Sequence, residues 1–317
     1  VPGGSASLTY NVSLESEAQA LDDVVVIAYG VRKKGTIAGS VSTVKAEKVE
    51  NTPTAAFDQA IQGQVPGLTV LSNSGEPSTS ATMMIRGMNS INSGTSPLYI
   101  LDGVAIASSD FNAINPADIE SISVLKDAAS GAIYGARAAN GVVLVTTKSG
   151  KKGKVKVNYN FSYGWQSKWR KRDVLNATEY AVMMNEGYIN AGMKPLYADP
   201  YHLKDAMGNQ VTDGTDWQDA VFNDNAPVMN HYLTVSGATD KVNYYLSLGY
   251  YTQEGIVGGN FDRSNYQRLS LRSNTRYNVL DLSKERKSLN KIDIIVNLSY
   301  ARIKSKGIDC LLYTSPS

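Results

Sequence analysis

Cysteine and histidine are nearly missing from this chain: 317 residues hold one cysteine, Cys310, and two histidines, His202 and His231. A lone cysteine closes no internal disulfide, and two histidines by themselves build no zinc site, so neither staple is expected and no metal is assigned. Long apolar runs are missing as well. The longest, Val24 to Ala28 and Val142 to Val145, fall far below the roughly 20 residues of a membrane-spanning helix, so any bilayer would have to be crossed as a barrel. An excess of one charge is also absent: 31 basic residues stand against 29 acidic ones, a net charge of +2, which argues against a nucleic-acid surface. The chain contains no Gly-x-Ser-x-Gly elbow, Walker loop, His-Glu-x-x-His or dinucleotide glycine pattern, and Asp102 and Glu120 show no catalytic companion. No catalytic residue and no cofactor are therefore expected.

What is present divides at about residue 150. From Gly35 to Gly150 short β-branched runs alternate with glycine-marked turns and small-residue stretches, the pattern of a compact mixed α/β domain. Thr52-Pro53 is placed to cap and start a helix in which Phe57, Ala60, Ile61 and Gln64 share a face. Strands are expected at Leu68 to Leu71, Ile119 to Leu125 and Val142 to Thr147, with a hairpin at Asp102-Gly103 and turns at Asn115-Pro116 and Asn140-Gly141. Gly103, Gly135 and Gly141 read as turn positions that need positive φ. Upstream, Val24 to Ile27 is a β-branched run closed by Gly30.

Lysines 148, 151, 152, 154 and 156 with Gly150 and Gly153 read as a solvated connector. Beyond it the period becomes two. Val155, Val157, Tyr159, Phe161, Tyr163 and Trp165 alternate with polar residues, and the same grammar returns at Val242 to Tyr250, at Leu269 and Leu271 against Arg268, Ser270 and Arg272, and at Ile292 to Tyr300. The first run holds about the 9 to 11 residues of a membrane barrel strand, although an exposed soluble sheet shows the same pattern. Nineteen tyrosines against five phenylalanines suit rings with one wet end at a membrane interface. A polar insertion, roughly 170–227, separates the first of these strands from the rest and holds a helix at Ala177 to Ala191 started by Asn176.

Several ordered blocks resemble the SusC/RagA-like TonB-dependent outer-membrane proteins of Bacteroidota. They are Leu21 to Gly30, Gly63 to Val70, Ile85-Arg86-Gly87, Pro97 to Gly103, Asn115 to Ile122, Val124 to Ala129, Ile133 to Val142 and Thr146 to Gly150, followed by His231 to Gly237 and Tyr244 to Tyr250. The resemblance implies a mixed α/β plug domain followed by the first antiparallel strands of a transmembrane β-barrel, incomplete at about five of roughly 22 strands. Its parts would be a remnant of a preceding carboxypeptidase-regulatory-like β-domain at 1–20, a TonB box at 21–30, the plug at 31–150 and the barrel start at 151–308. Residues 309–317 break the strand pattern and look like a non-native tail.

Energy-coupled import of glycans or peptides across the outer membrane is what this family does. The partners implied are TonB with ExbB and ExbD, a SusD-like lipoprotein, and the glycan or peptide itself. Asp23, Val24, Val25, Val26 and Ile27 would bind TonB by strand addition, while Arg86, Gly87, Asp102, Gly103, Arg137 and Gly141 would act as structural residues of the plug. Arg86 and Arg137 are open to two roles, substrate contact or a buried clamp from plug to wall. Trp165, Trp169 and Trp217 are open to sugar stacking, with Trp165 better placed for an interfacial girdle. Two alternatives stay open: a non-transporting surface binding or adhesion protein, and a siderophore or cobalamin receptor on the same architecture.

Overall fold

A computed structural model describes residues 24–27, 30–33, 41–45, 57–71, 76–77, 80–87, 95–127, 131–205, 207–211, 214–258, 261–281 and 291–307. The expectations for 1–20, Asp23, Thr52-Pro53 and 309–317 fall outside these residues. Strands β1 (Val24–Ile27) and β2 (Gly30–Lys33) form an antiparallel ribbon. Among the described strands β1 is hydrogen-bonded to β2 alone, and it lies near β9.

The domain that follows is organised by a five-stranded sheet. Its members are β3 (Val41–Lys45), β6 (Leu98–Leu101), β7 (Val104–Ile106), β8 (Ile119–Leu125) and β9 (Val142–Thr147), in the order β3-β8-β9-β6-β7. Strands β4 (Leu68–Leu71) and β5 (Thr82–Ile85) make a separate antiparallel pair. Only β6 with β9 is parallel. Val142 to Val145 is uninterruptedly apolar because β9 is central and covered on both faces. On one face helices α1 (Phe57–Ala60) and α2 (Ser108–Asn112) bring Phe57 and Phe111 against Ile119, Ile122, Val124, Val143 and Val145. The two phenylalanine rings meet edge to face at 4.7 Å, a favoured aromatic geometry. The other face buries Leu98, Ile100, Leu125, Val142 and Leu144 with Ala138, from the 3-10 turn Ala132–Ala138.

Turn chemistry lands where the residue types require it. Asp102 (φ 47°) and Gly103 (φ 90°) both take positive φ between β6 and β7, as a two-residue I′ hairpin turn demands. Asn115 caps the turn at Pro116–Asp118 by accepting from the Ala117 N–H at 3.1 Å. Gly135 and Gly141 also have positive φ.

The second half is an antiparallel meander of β10 (Gly153–Gln166), β11 (Ala226–Ala238), β12 (Val242–Glu254), β13 (Asn265–Asp281) and β14 (Lys291–Lys306). We call it the wall. Alternation marks four of these strands, and the fifth, β11, was expected only through the family resemblance. With 13 to 17 residues they exceed the expected length. The outward row keeps Leu246, Leu248, Tyr250, Leu269 and Leu271 exposed, while the inward row of β11 to β13 is buried against the N-terminal domain. Along β10 and β14 both rows are largely exposed. In the insertion, helix α3 (Ala177–Asn190) starts at Asn176 in a reciprocal capping box with Glu179. Helix α4 (Trp217–Val221) is capped by Asp216, and the insertion ends where β11 begins at Ala226.

One expectation needs correction: the connector is not simply solvated. Gly150 is buried, with its N–H donating to Asn243 Oδ1 at 2.8 Å and its carbonyl accepting from Asn243 Nδ2 at 2.7 Å. A Cβ here would stand 2.2 Å from the Gly237 carbonyl oxygen. The lysines misled because only part of the segment is solvated; Lys151, Lys152 and Lys154 are exposed, while Lys148 is half-buried.

Candidate functional site: the seam between domain and wall

Where the N-terminal domain meets the wall, the buried side chains change from apolar to polar. Thr234, Ser247, Arg268, Ser270 and Arg272 are all buried on the inward face of β11 to β13. Period two explains their placement, because every second residue of each strand points at the domain. A buried charge must be matched, so each arginine needs a specific partner on the opposing surface.

Arg272 finds it at the β6–β7 turn. Its Nη2 donates to Asp102 Oδ2 and, at 3.0 Å, to Thr147 Oγ1. The same Asp102 carboxylate accepts from the Thr147 N–H at 2.9 Å and from the Thr147 hydroxyl at 2.7 Å. Asp102 thus ties the hairpin, β9 and β13 together, with the ion pair's side chains 5% and 13% exposed. Net gain from such a pair is small, because desolvation opposes attraction, yet removing one partner typically costs about 3–5 kcal/mol.

A second cluster lies at the start of β8. Tyr232 donates its hydroxyl to Asp118 Oδ1 at 2.7 Å, and the Tyr245 hydroxyl sits 2.6 Å from that of Tyr232 and 3.3 Å from the same carboxylate oxygen. Arg268 Nη1 donates to the Ile114 carbonyl at 3.4 Å, with the guanidinium 5.6 Å from the Tyr251 ring centroid. Approach is close here: a Cβ on Gly249 would lie 2.6 Å from both Asn115 Nδ2 and Ser270 Oγ. Asn274 Nδ2 donates to the Lys148 carbonyl at 3.3 Å, near the Gly150 anchor. Ser247 Oγ and Arg272 Nε have no hydrogen-bond partner among the described residues, so the match is incomplete.

The residues singled out from sequence distribute unevenly over this seam. Asp102 is at its centre and Gly103 completes the turn that presents it. Val24, Val25, Val26 and Ile27 lie in β1, outside the seam; Asp23 is not among the described residues. Arg86, at φ 60° beside Gly87 at φ 87°, pairs with Asp127 at 2.5 Å and is half-exposed. Arg137 is exposed. Neither is buried against the five wall strands; the arginines buried at this seam are Arg268 and Arg272, from the wall side. Gly141 instead fits between Ile85 and the Leu125 carbonyl. The signal for the true clamps was present as two arginines on the inward register of an alternating strand.

Other titratable groups lie apart from the seam. Asp58 is buried at α1, where its carboxylate accepts from the Ala81 N–H at 2.6 Å and the Gln59 N–H at 2.7 Å. Burial raises its pKa above the ordinary value, against the opposing pull of those bonds. In the exposed insertion, Asp216 is held below its ordinary value by the Asp219 N–H, then by Lys171. Lys168 and Lys171 bridge to Asp216, Asp219 and Asp224 and fasten α4 to the end of the β10 segment. Among the described residues no group of three or more His, Cys, Asp or Glu is placed to hold a metal ion.

Comparison with known proteins bears on this arrangement directly. Residues 33–142 match the TonB-dependent receptor plug domain. The chain is 37% identical over 268 residues to TonB-dependent receptor SusC of Bacteroides thetaiotaomicron, covering 82% of this chain and 25% of that one. It is 39% identical over 252 residues to TonB-dependent receptor P26 of Formosa agariphila, covering 78% and 24%. The chain therefore spans about a quarter of the length of these curated relatives. Among solved structures it is similar to the RagAB peptide importer in its closed-closed state, with TM-score 0.74 and 30% identity over 87% of this chain and 32% of that one.

Proposed function

Because the chain belongs to the SusC/RagA-like TonB-dependent receptors, with a plug and part of a barrel wall, we propose that it gates energy-coupled import of glycans or peptides across the outer membrane. The observation that carries this reading is the polar seam. A plug held to its wall largely by Asp102, Asp118, Arg268 and Arg272, with one small apolar patch of Val228, Tyr251 and Tyr266 beside them, can be displaced while baring little apolar surface to the channel, which is what a reusable gate requires. An adhesion module has no use for a separable inner surface. The siderophore alternative rests on fold likeness alone: the receptor PirA of Acinetobacter baumannii is 18% identical, with TM-score 0.50.

TonB is the proposed source of the pull. Strand β1 is extended and is hydrogen-bonded to β2 alone among the described strands, so strand addition along Val24 to Ile27, with Asp23 contributing charge, is the mode of contact we favour. ExbB and ExbD would energise TonB, and a SusD-like lipoprotein would cover the outer mouth. RagAB is described as a peptide importer, and the cargo proposed here remains glycan or peptide.

Uptake in the host tests the reading. Val25→Pro removes a backbone donor from β1 and is expected to abolish growth on the imported oligosaccharide or peptide mixture at unchanged receptor abundance, as deletion of the receptor gene does. Normal growth of the proline variant would overturn the strand-addition mechanism; normal growth of the deletion strain would overturn the import reading.

A further inference from the structure

The outward face of the wall carries a second pattern that import does not use. Cross-strand register takes Asn160 on β10 through Tyr232, Gly249 and Ser270 to Ala301 on β14. Yet the outward apolar run centred near Asn160 on β10, Val155 to Trp165, reappears on β14 as Ile292 to Tyr300, centred on Val296. The apolar band therefore slips five residues along the strands in four steps. At a rise of about 3.3 Å and a strand spacing of about 4.8 Å this is a tilt of about 40°, within the range of membrane barrels. The slipped line also orders the band's upper edge: Trp165, Met229, Tyr250, Leu269 and Tyr300 occupy successive strands along it.

Which edge faces outside follows from the connections. The connections at the two ends differ most between residues 239–241, which join β11 to β12 at one end, and the long insertion 167–225, which joins β10 to β11 at the other; the 282–290 and 255–264 connections are alike in length. Short turns mark the periplasmic end of an outer-membrane barrel and long loops the extracellular one. Arg302 and Lys304 come next after Tyr300 on the outward row, beyond the upper edge. On a strand tilted by about 40° they stand about 5 Å and about 10 Å above it, the depth of the headgroup layer. Both are exposed, and neither forms an ion pair with a described residue. Lys306, the next in the row, is bridged to Asp262. Lys304 is paired across the strands with Gln267, a further donor at that height. The carboxylate nearest along this row, Asp262, is already held by Lys306 and by Asn265 Nδ2.

We propose that Arg302 and Lys304 bind a phosphate of a phosphorylated lipid headgroup in the outer leaflet, while the acyl chains of that lipid lie along Tyr300, Leu298 and Leu271. The site rests on the reading of the five strands as a membrane wall. An apolar band topped by unpaired cations is complementary to an anionic lipid, and a guanidinium beside a lysine is well matched to phosphate oxygens.

The test uses the full receptor purified in detergent, with bisphosphorylated lipid A as the probe and its dephosphorylated form as the control, and occupancy read by native mass spectrometry. Wild type should retain the phosphorylated lipid, and R302Q/K304Q should weaken retention by about thirtyfold, the effect of removing two interfacial cations. R302K/K304R keeps the charge and should keep most of the binding. Equal retention by wild type and R302Q/K304Q, or equal retention of the two lipids, would overturn the site. Failure of the receptor to enter lipid nanodiscs at all would overturn the wall reading beneath it.

Discussion

Within the plug, β8 and β9 are closed by Ile122, Val124, Val143 and Val145 with Phe57 and Phe111 above them, whereas Asp118, in the turn just before β8, and Thr147, at the end of β9, meet the wall. Cohesion is made of hydrocarbon and adhesion mainly of charges and hydroxyls, with a small apolar patch at Val228, Tyr251 and Tyr266. Hydrophobic burial is non-directional and scales with area, so the plug's interior tolerates shear and resists solvent. Hydrogen-bonded pairs are directional and exchange readily for water, so the seam is specific to one register.

Breaking the apolar side should have the largest effect. Phe111→Ala removes a fully buried ring and is expected to cost the plug about 3–5 kcal/mol, seen as loss of hydrogen-exchange protection across β8 and β9. Unchanged protection there would contradict the assignment of the core. Asp102→Ala should cost a similar amount at the seam by leaving Arg272 buried without its carboxylate, about 3–5 kcal/mol, while β8 and β9 stay protected. Passage of a large hydrophilic antibiotic into cells reports it, and the double variant Asp102→Ala, Arg272→Met should recover most of the seal. If the double variant leaks as much as the single one, the pair is not what closes the seam.

Tyr232→Phe sharpens the contrast with a smaller change. It deletes one hydrogen bond to the buried Asp118 and should loosen the seam by about 1.5–3 kcal/mol, raising antibiotic passage modestly at normal receptor abundance. The smallest effect belongs to the exposed insertion. The Asp216 carboxyl has a lowered pKa in the folded protein, so its contribution is present above its unfolded value of about 4 and is lost as pH falls through the lower folded value. The protection factors of the Gln218 and Asp219 amides, which correct for the intrinsic pH dependence of exchange, should fall on acidification through that window, and Asp216→Asn should remove most of that change.

Local chemistry made much of the fold readable in advance. Asp102-Gly103 is a hairpin turn and Asn140-Gly141 a turn because few residues accept positive φ, and Ile119 to Leu125 and Val142 to Thr147 are strands at the expected bounds. Asn176 announced α3 for another reason: its side chain can accept from an unpaired N–H of the first helical turn. Strand β11 was hidden from periodicity because His231 sits in its outward row and Tyr232 in its inward one, which blurs the contrast between faces. The seam was harder still. Its partners are 114 residues apart for Asp118 and Tyr232 and 170 apart for Asp102 and Arg272, and no local rule pairs residues across such distances. Arg86 attracted attention through its neighbouring glycine, yet its guanidinium turns to Asp127 on the plug itself.

The anchor at Gly150 has a kinetic meaning. Only Lys151 and Lys152 separate it from the first wall strand, so a displaced plug stays on a short leash and its return is an intramolecular search. Leashes of this length keep a ligand at an effective concentration on the order of millimolar. Resealing is then indifferent to how many receptors the cell makes, and weak polar contacts suffice for it, because the entropy of bringing two bodies together has already been met by the covalent chain.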